Sequence, residues 1–168
     1  PLDTYQEFTR EHHTFPNGCH IAEVEIDQET GVVTLDRYTA VADYGLTINP
    51  LLVTGQAHGA IAQGVGQALT ERAVFDAESG QLLSGSFMDY CMPRADDLPS
   101  FDVTLAGVRC TTNPLGVKGC GEAGAIAGFP ATVNAVLDAL RPLGVETLNG
   151  PATPETVWRL IRNHGSAS

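Results

Sequence analysis

The sequence predicts an α+β fold, a mostly antiparallel sheet covered by packed helices. Three observations carry the prediction. His20–Ile26 alternates apolar and acidic residues, and Val32–Ala42 returns after the turn Asp27–Gly31. Two alternating runs around a short glycine-containing turn read as an antiparallel hairpin. Two long runs of small and apolar residues, near 51–69 and 125–140, have the length and composition of buried helices. Near the end, Pro154–His164 places Val157, Trp158, Leu160 and Ile161 at the spacing of an amphipathic helix.

In chain order, Pro1–Phe15 has little periodicity. His12, His13 and His20 invite a metal reading, but no acid or cysteine spacing supports it. The turn Asp27–Gly31 lacks the acidic spacing of a calcium loop. Asp43–Pro50 breaks the second strand, and a helix starts just after Pro50, since Asn49 precedes a proline and is biased away from helix. Within 54–69 the glycines at 55, 59, 64 and 66 cost a solvated helix about 1 kcal/mol each relative to alanine. They suit a helix that lies very close to a neighbour or a ligand. Gln56 and Gln63, seven residues apart, share one helix face. A glutamine amide both donates and accepts, as the edge of a heterocycle requires; a packed core helix with polar ends explains them equally well. Glu71–Phe75 and Gln81–Tyr90 are strand candidates flanking the turn Asp76–Gly80, and Phe101–Val108 alternates as a further half-buried strand. Asp96 and Asp97 are adjacent and point apart in an extended chain, so they make no acid–base pair. For the last helix, Thr153 is the expected N-cap, Pro154 the first helical residue and Glu155 the first-turn acid.

Composition narrows the function classes. A chain of 168 residues is expected to form one domain, residues 1–168, burying roughly two-thirds of its unfolded surface. The net charge of −11 argues against nucleic-acid binding. No uninterrupted run of 18 apolar residues and no charged-then-apolar start is present, so neither a membrane span nor export is expected. Cys19, Cys91, Cys110 and Cys120 are scattered, which fits free thiols in a cytoplasmic protein. The charged fraction is only 17%, leaving faces free to pack on another chain.

The stretch Asn113–Gly128 concentrates the chemistry. It holds five glycines, and Lys118 and Glu122 are its only charged residues. Such a backbone turns tightly or lies close against another group. A lone carboxylate among glycines, at the mouth of an apolar helix, is a candidate general base in a cofactor pocket. The residues alone also permit an acid placed in a helix's first turn by the helix dipole.

These segments carry a resemblance. Ile21–Gly31, Asp43–Pro50, Gly55–Gly66 (Gly-Gln-x-x-Gly-x-x-x-Gln-Gly-x-Gly), Asp89–Pro93, Val117–Gly124 (Val-Lys-Gly-x-Gly-Glu-Ala-Gly) and the Pro-Ala-Thr-Pro-Glu tail at 151–155 resemble, in order, the C-terminal part of the molybdenum-binding large subunit of the xanthine dehydrogenase, aldehyde oxidase and carbon monoxide dehydrogenase family. The resemblance implies a molybdopterin-binding domain of a molybdenum hydroxylase that oxidises aldehydes or N-heterocycles. It implies Glu122 as the catalytic base. It implies Gln56 and the Gly121 amide as pterin contacts, with Lys118 and Cys120 beside them, and a molybdenum held through the pterin rather than by protein ligands. The cofactor would be molybdenum–molybdopterin, the cytosine dinucleotide form among its variants. FAD and [2Fe-2S] clusters would sit on partner chains or domains, in a hetero- or homo-oligomer. The upstream glycine-rich segment and the substrate-holding residues of that family have no counterpart here, so the chain is expected to be one piece of a split or longer large subunit and inactive alone. A non-catalytic cofactor-binding or assembly module is the alternative.

Overall fold

The computed structural model describes residues 2–9 and 11–165. A three-stranded sheet has the order β1 (Asn17–Ile26), β2 (Val33–Asp43), β3 (Phe101–Leu105). Three helices accompany it: α1 (Pro50–Leu69), α2 (Ala123–Leu140) and α3 (Pro154–Gly165). The architecture is α+β, as the sequence predicts, and the sheet is mixed. β1 and β2 form the expected antiparallel hairpin, whereas β3 lies parallel to β2 from Tyr38↔Phe101 to Ala42↔Leu105. The parallel pairing follows from the connection. The chain crosses over through α1 between β2 and β3, and a parallel neighbour needs such a crossover.

The pleat sorts the side chains of β1. His20, Ala22, Val24 and Ile26 turn inward, while Ile21, Glu23 and Glu25 face out. Beyond the Glu23↔Arg37 pair the register shifts, so that Val24 faces Leu35. The hairpin turn is held by Asp27, whose carboxylate accepts from the Glu29 amide at 2.9 Å and the Thr30 hydroxyl at 2.6 Å. Gly31 closes it at φ 76°, and a Cβ there would lie 2.2 Å from the Pro154 carbonyl at the start of α3. A side chain at position 31 is thus excluded twice, by conformation and by the approach of α3.

Two strand expectations fail. Glu71–Phe75 and Gln81–Tyr90 do not join the sheet; they meet in one isolated bridge, Phe75↔Leu82, around the Asp76–Gly80 turn. Phe75, Leu83, Phe87 and Met88 are exposed, so nothing in the described residues covers the apolar side chains of this hairpin, and alternation alone does not build a sheet. β3 ends at Leu105, three residues before the predicted Val108. There the chain crosses the backbone of Gly45, and a Cβ on Gly107 would sit 2.0 Å from the Gly45 carbonyl.

The helices begin close to where their caps predict. Asn49 caps α1, its Oδ1 accepting from the Leu52 amide at 3.2 Å, with Pro50 as the first residue. Thr153 caps α3 through the Thr156 amide at 3.3 Å, as expected. α2 starts two residues before the predicted Ala125 and runs through Pro130, which removes the N–H that Ile126 would otherwise accept.

The crossing of α1 and α2 fixes the interior. Ala57, Ala60 and Gly64 meet Gly124 and Gly128 at backbone distance: a Cβ on Gly64 would stand 2.7 Å from the Phe129 nitrogen, and one on Gly124 2.9 Å from the Ala57 carbonyl. The close neighbour foreseen for the glycines of α1 is therefore α2 for Gly64, while Gly55 and Gly59 face open space. Leu35, Tyr38, Ile61, Val65, Val136, Leu140 and Val157 form the main core. A smaller cluster of Ala42, Tyr44 and Ala57 packs with Cys120 and Ala123, under the glycine-rich loop. Residues 123–143 are long and apolar enough by composition to cross a bilayer; α2 packs one face on α1 and β1, and most of this stretch is not fully buried.

Gly64→Ala should therefore destabilise the protein by about 1–3 kcal/mol, since the added methyl meets backbone on the facing helix. Gly59→Ala, with nothing within 4 Å of the new Cβ, should be neutral or stabilising by up to about 1 kcal/mol. Thermal melts of the two variants check the contrast, and equal melting temperatures would contradict the packing described.

Candidate functional site

A carboxylate in the second strand organises the glycine-rich loop. Asp43, at the end of β2, is 8% exposed. Its Oδ1 accepts from the Gly45 and Val108 amides, both at 2.9 Å, and its Oδ2 from Asn17 Nδ2 at 3.3 Å and from the Lys118 ammonium. The Lys118 hydrogen bond, then the two amides, hold the Asp43 carboxyl far below the usual carboxylate range. Lys118 is also tied by its backbone, donating to the Tyr44 carbonyl at 3.0 Å, and Gly45 bridges Val117. Upstream, Asn113 Oδ1 accepts from the Gly116 amide at 2.7 Å and the Val117 amide at 3.1 Å, and Gly116 adopts φ 73°. The Asn-Pro-x-Gly turn that starts the loop is thus built by its own first side chain.

Downstream the loop opens on a cleft of about 450 Å³. One wall is Gly119–Ala123 with Ile126 and Ala127 of α2; the other is Pro16, Gly18 and His20 of β1 and its approach, with Ala42 and Tyr44 of β2 at the floor. The volume falls within the range of small-molecule sites. Gly119 and Gly121 have no atom within 4 Å of where a Cβ would stand, so a group can approach their bare Cα faces, while the Gly119 amide donates to Thr14 Oγ1 at 3.4 Å. Ala123 closes a turn onto the Cys120 carbonyl at 3.3 Å, and Glu122 is the N-cap residue of α2. The Glu122 side chain makes no capping hydrogen bond; it is exposed and lines the cleft. Glu122 thus precedes the first turn of α2, which holds no acidic residue, rather than lying within it as the alternative reading had it, and it sits at the lip of a cavity.

The candidate residues converge unequally. Cys120, Gly121 and Glu122 line the cleft, Cys120 half-buried. Gln56 reaches across from α1, its Nε2 donating to the Gly121 carbonyl at 2.8 Å. It thereby fixes the peptide immediately before Glu122. Lys118 does not line the cleft; its ammonium is committed to Asp43, with both side chains 11% exposed. Two residues that the sequence did not single out belong to this region, Asp43 as the clasp and Tyr44 at the cleft floor, and His20, considered from the sequence only as a metal ligand, lines the cleft. The adjacency of Asp43 to the strand-breaking Tyr-Gly was the available signal for the first, because a carboxylate before a tight turn caps the turn's amides. Among the described residues no group of three His, Cys, Asp or Glu side chains is gathered to hold a metal ion directly.

A family model described as the molybdopterin cofactor-binding domain matches residues 2–99. The chain belongs to this family. It is 41% identical over 160 residues to the nicotine 6-hydroxylase large subunit of Paenarthrobacter nicotinovorans, covering 93% of this chain and 20% of that protein. It is 32% identical to the carbon monoxide dehydrogenase large chain of Hydrogenophaga pseudoflava, over 99% of this chain and 20% of the relative. Among solved structures, quinoline 2-oxidoreductase from Pseudomonas putida 86 superposes with a TM-score of 0.85 at 40% identity, and a Cu,Mo-CO dehydrogenase with 0.86 at 31%. These cover 89% and 91% of this chain, and 19% of each matched chain. The chain thus spans about a fifth of the length of the curated relatives it matches. The cleft suits the group that names the family: the bare Cα faces of Gly119 and Gly121 leave room for a planar heterocycle, and the cavity is apolar along Ala42, Ala123 and Ile126.

Asp43 also sets an acid limit on the fold. Its folded-state carboxyl is depressed, so its stabilisation is complete above the unfolded value of about 4 and is lost as pH falls through the folded value. Asp43→Asn should lower the melting temperature at neutral pH. The gap to wild type should narrow steadily below about pH 4. Melts across that range check this, and a gap independent of pH would contradict the clasp.

Proposed function

We propose that this chain supplies the catalytic base and one wall of the pterin pocket of a molybdenum hydroxylase acting on an aldehyde or N-heterocycle. The observation that carries the reading is Glu122: a carboxylate with no capping bond, exposed at the lip of the cleft, on a turn clamped from both sides. The bound molybdenum–molybdopterin would supply the two-electron redox chemistry that removes electrons from the substrate carbon. Glu122 would take up, at a carboxylate oxygen, the proton released as the new carbon–oxygen bond forms. Gln56 positions the Gly121 peptide, and so the Glu122 main chain, by its hydrogen bond to the Gly121 carbonyl. The Gly121 amide and the Cys120 peptide, both lining the cleft, would pair with the pterin edge. Lys118 serves the site from behind, by holding the loop on Asp43.

The remainder of the subunit would close the cleft opposite α2, where Ile126 is 75% exposed, and the apolar rim of Ile48, Leu51 and Leu52 at the start of α1 would be covered with it. In this reading residues 1–168 form the C-terminal cofactor-binding domain of a large subunit. FAD and [2Fe-2S] centres on partner chains or domains would carry electrons onward, the cofactor would include the cytosine dinucleotide form among its variants, and the assembly would be cytoplasmic and hetero-oligomeric. The nicotine and carbon monoxide relatives are described as large subunits or chains, which supports membership of a multi-subunit complex.

Glu122→Gln in the complete assembly should keep the molybdenum content of wild type and lose at least about 10²-fold in turnover, the scale of a lost general base. Metal analysis beside steady-state rates checks both halves. Turnover above about a tenth of wild type would favour a non-catalytic binding module.

A further inference from the structure

His20 stands in the cleft with one ring nitrogen engaged and the other directed away from that partner. It projects inward from β1, on the same strand face as Gly18, and lines the cleft shared with Glu122. Its Nδ1 lies 2.8 Å from the Tyr38 hydroxyl, and the two rings meet edge to face at 5.7 Å. Tyr38 is fully buried, with its other flank against Phe101. Burial raises the phenol's pKa and lowers that of the imidazole, so both groups are neutral near pH 7. Among the described residues the Tyr38 hydroxyl has one hydrogen-bond partner, His20 Nδ1. A buried hydroxyl donates where it can, because an unused donor is costly. The phenol proton therefore belongs on the line to Nδ1, which leaves Nδ1 as acceptor and places the imidazole proton on Nε2. Among the described residues Nε2 has no partner.

We propose that His20 is a cofactor-contacting residue: Tyr38 locks it in the Nε2–H tautomer, and that N–H donates into the cleft to an acceptor atom of the bound pterin, a carbonyl oxygen or an unprotonated ring nitrogen. This rests on the reading of the cleft as a pterin site. It differs from that reading in placing a recognition element on β1, in the same cleft as Gly119 and Gly121 but on a different element. A donor on one wall and a peptide edge on the other would fix both the depth and the tilt of a planar heterocycle, which neither wall does alone.

The test uses the chain in its native assembly. Molybdenum and pterin retention after extensive dialysis would be compared for wild type, His20→Phe, His20→Gln and Tyr38→Phe, together with the ring ¹⁵N shifts of His20. The proposal expects an Nε2–H signature in wild type and a mixed tautomer in Tyr38→Phe. It expects retention to fall about tenfold in His20→Phe, the scale of a lost buried hydrogen bond, and to recover in His20→Gln, whose amide also donates. Equal retention in wild type and a folded His20→Phe overturns the His20 contact and leaves the cleft reading standing. An Nδ1–H tautomer in wild type likewise overturns it. A wild-type assembly that holds no molybdenum overturns the cleft reading and this inference together.

Discussion

The Asp43 carboxylate is the point on which the rest of the site depends. Four donors from four separate stretches converge on it: Asn17 in β1, the Gly45 amide just past β2, the Val108 amide past β3, and the Lys118 ammonium of the glycine-rich loop. The sheet ladder joins Asn17 to β2, but beyond the ends of β2 and β3 only the isolated Gly45↔Val117 bridge ties the glycine-rich loop to it. The loop from Asn113 to Glu122 has no strand of its own, and its glycines give it wide conformational freedom in the unfolded chain. One nearly buried carboxylate with all its main acceptor positions in use replaces that missing ladder. The arrangement also explains why a lysine stands in a loop where a free cation would compete with the cleft chemistry. Its charge is neutralised behind the wall rather than presented in the cavity.

A second constraint delivers Glu122 to the cleft. α1 and α2 cross where Ala57, Ala60, Gly64, Gly124 and Gly128 let backbone meet backbone. At that separation Gln56 can span from α1 to the Gly121 carbonyl at 2.8 Å. A bulkier crossing would carry the first turn of α2 away from α1 and break that reach. The loop is therefore clamped by Asp43 through Lys118 and by Gln56 through Gly121, and Glu122 is the next residue. The same sheet that supplies Asp43 brings His20 to the facing wall, so both sides of the cavity trace back to the β1–β2 hairpin.

Much of this was legible in the residues, for identifiable reasons. The hairpin of β1 and β2 announced itself by alternation around Asp-x-x-Thr-Gly, and the caps Asn49 and Thr153 by local chemistry that acts within a few residues. Glu122 stood out as the lone carboxylate of its loop. Less legible were features set by contacts distant in sequence. The parallel docking of β3 depends on where the chain returns after α1. The failure of 71–75 and 81–90 to join the sheet depends on the lack of anything to cover them. Asp43 reads locally as a turn residue, and only its bond to a lysine 75 residues away reveals the clasp. His20 read as one of several scattered histidines until the strand placed it beside Tyr38.

If the cavity between the Gly119–Glu122 turn and the β1 wall is one half of a molybdopterin site, anomalous diffraction at the molybdenum absorption edge, on crystals of the native assembly, should locate the metal there. The expected result is a single strong peak per chain in the cleft beside Glu122, with the pterin running past Gly119 and Gly121. A peak remote from this cleft, with Glu122 facing solvent, would contradict it.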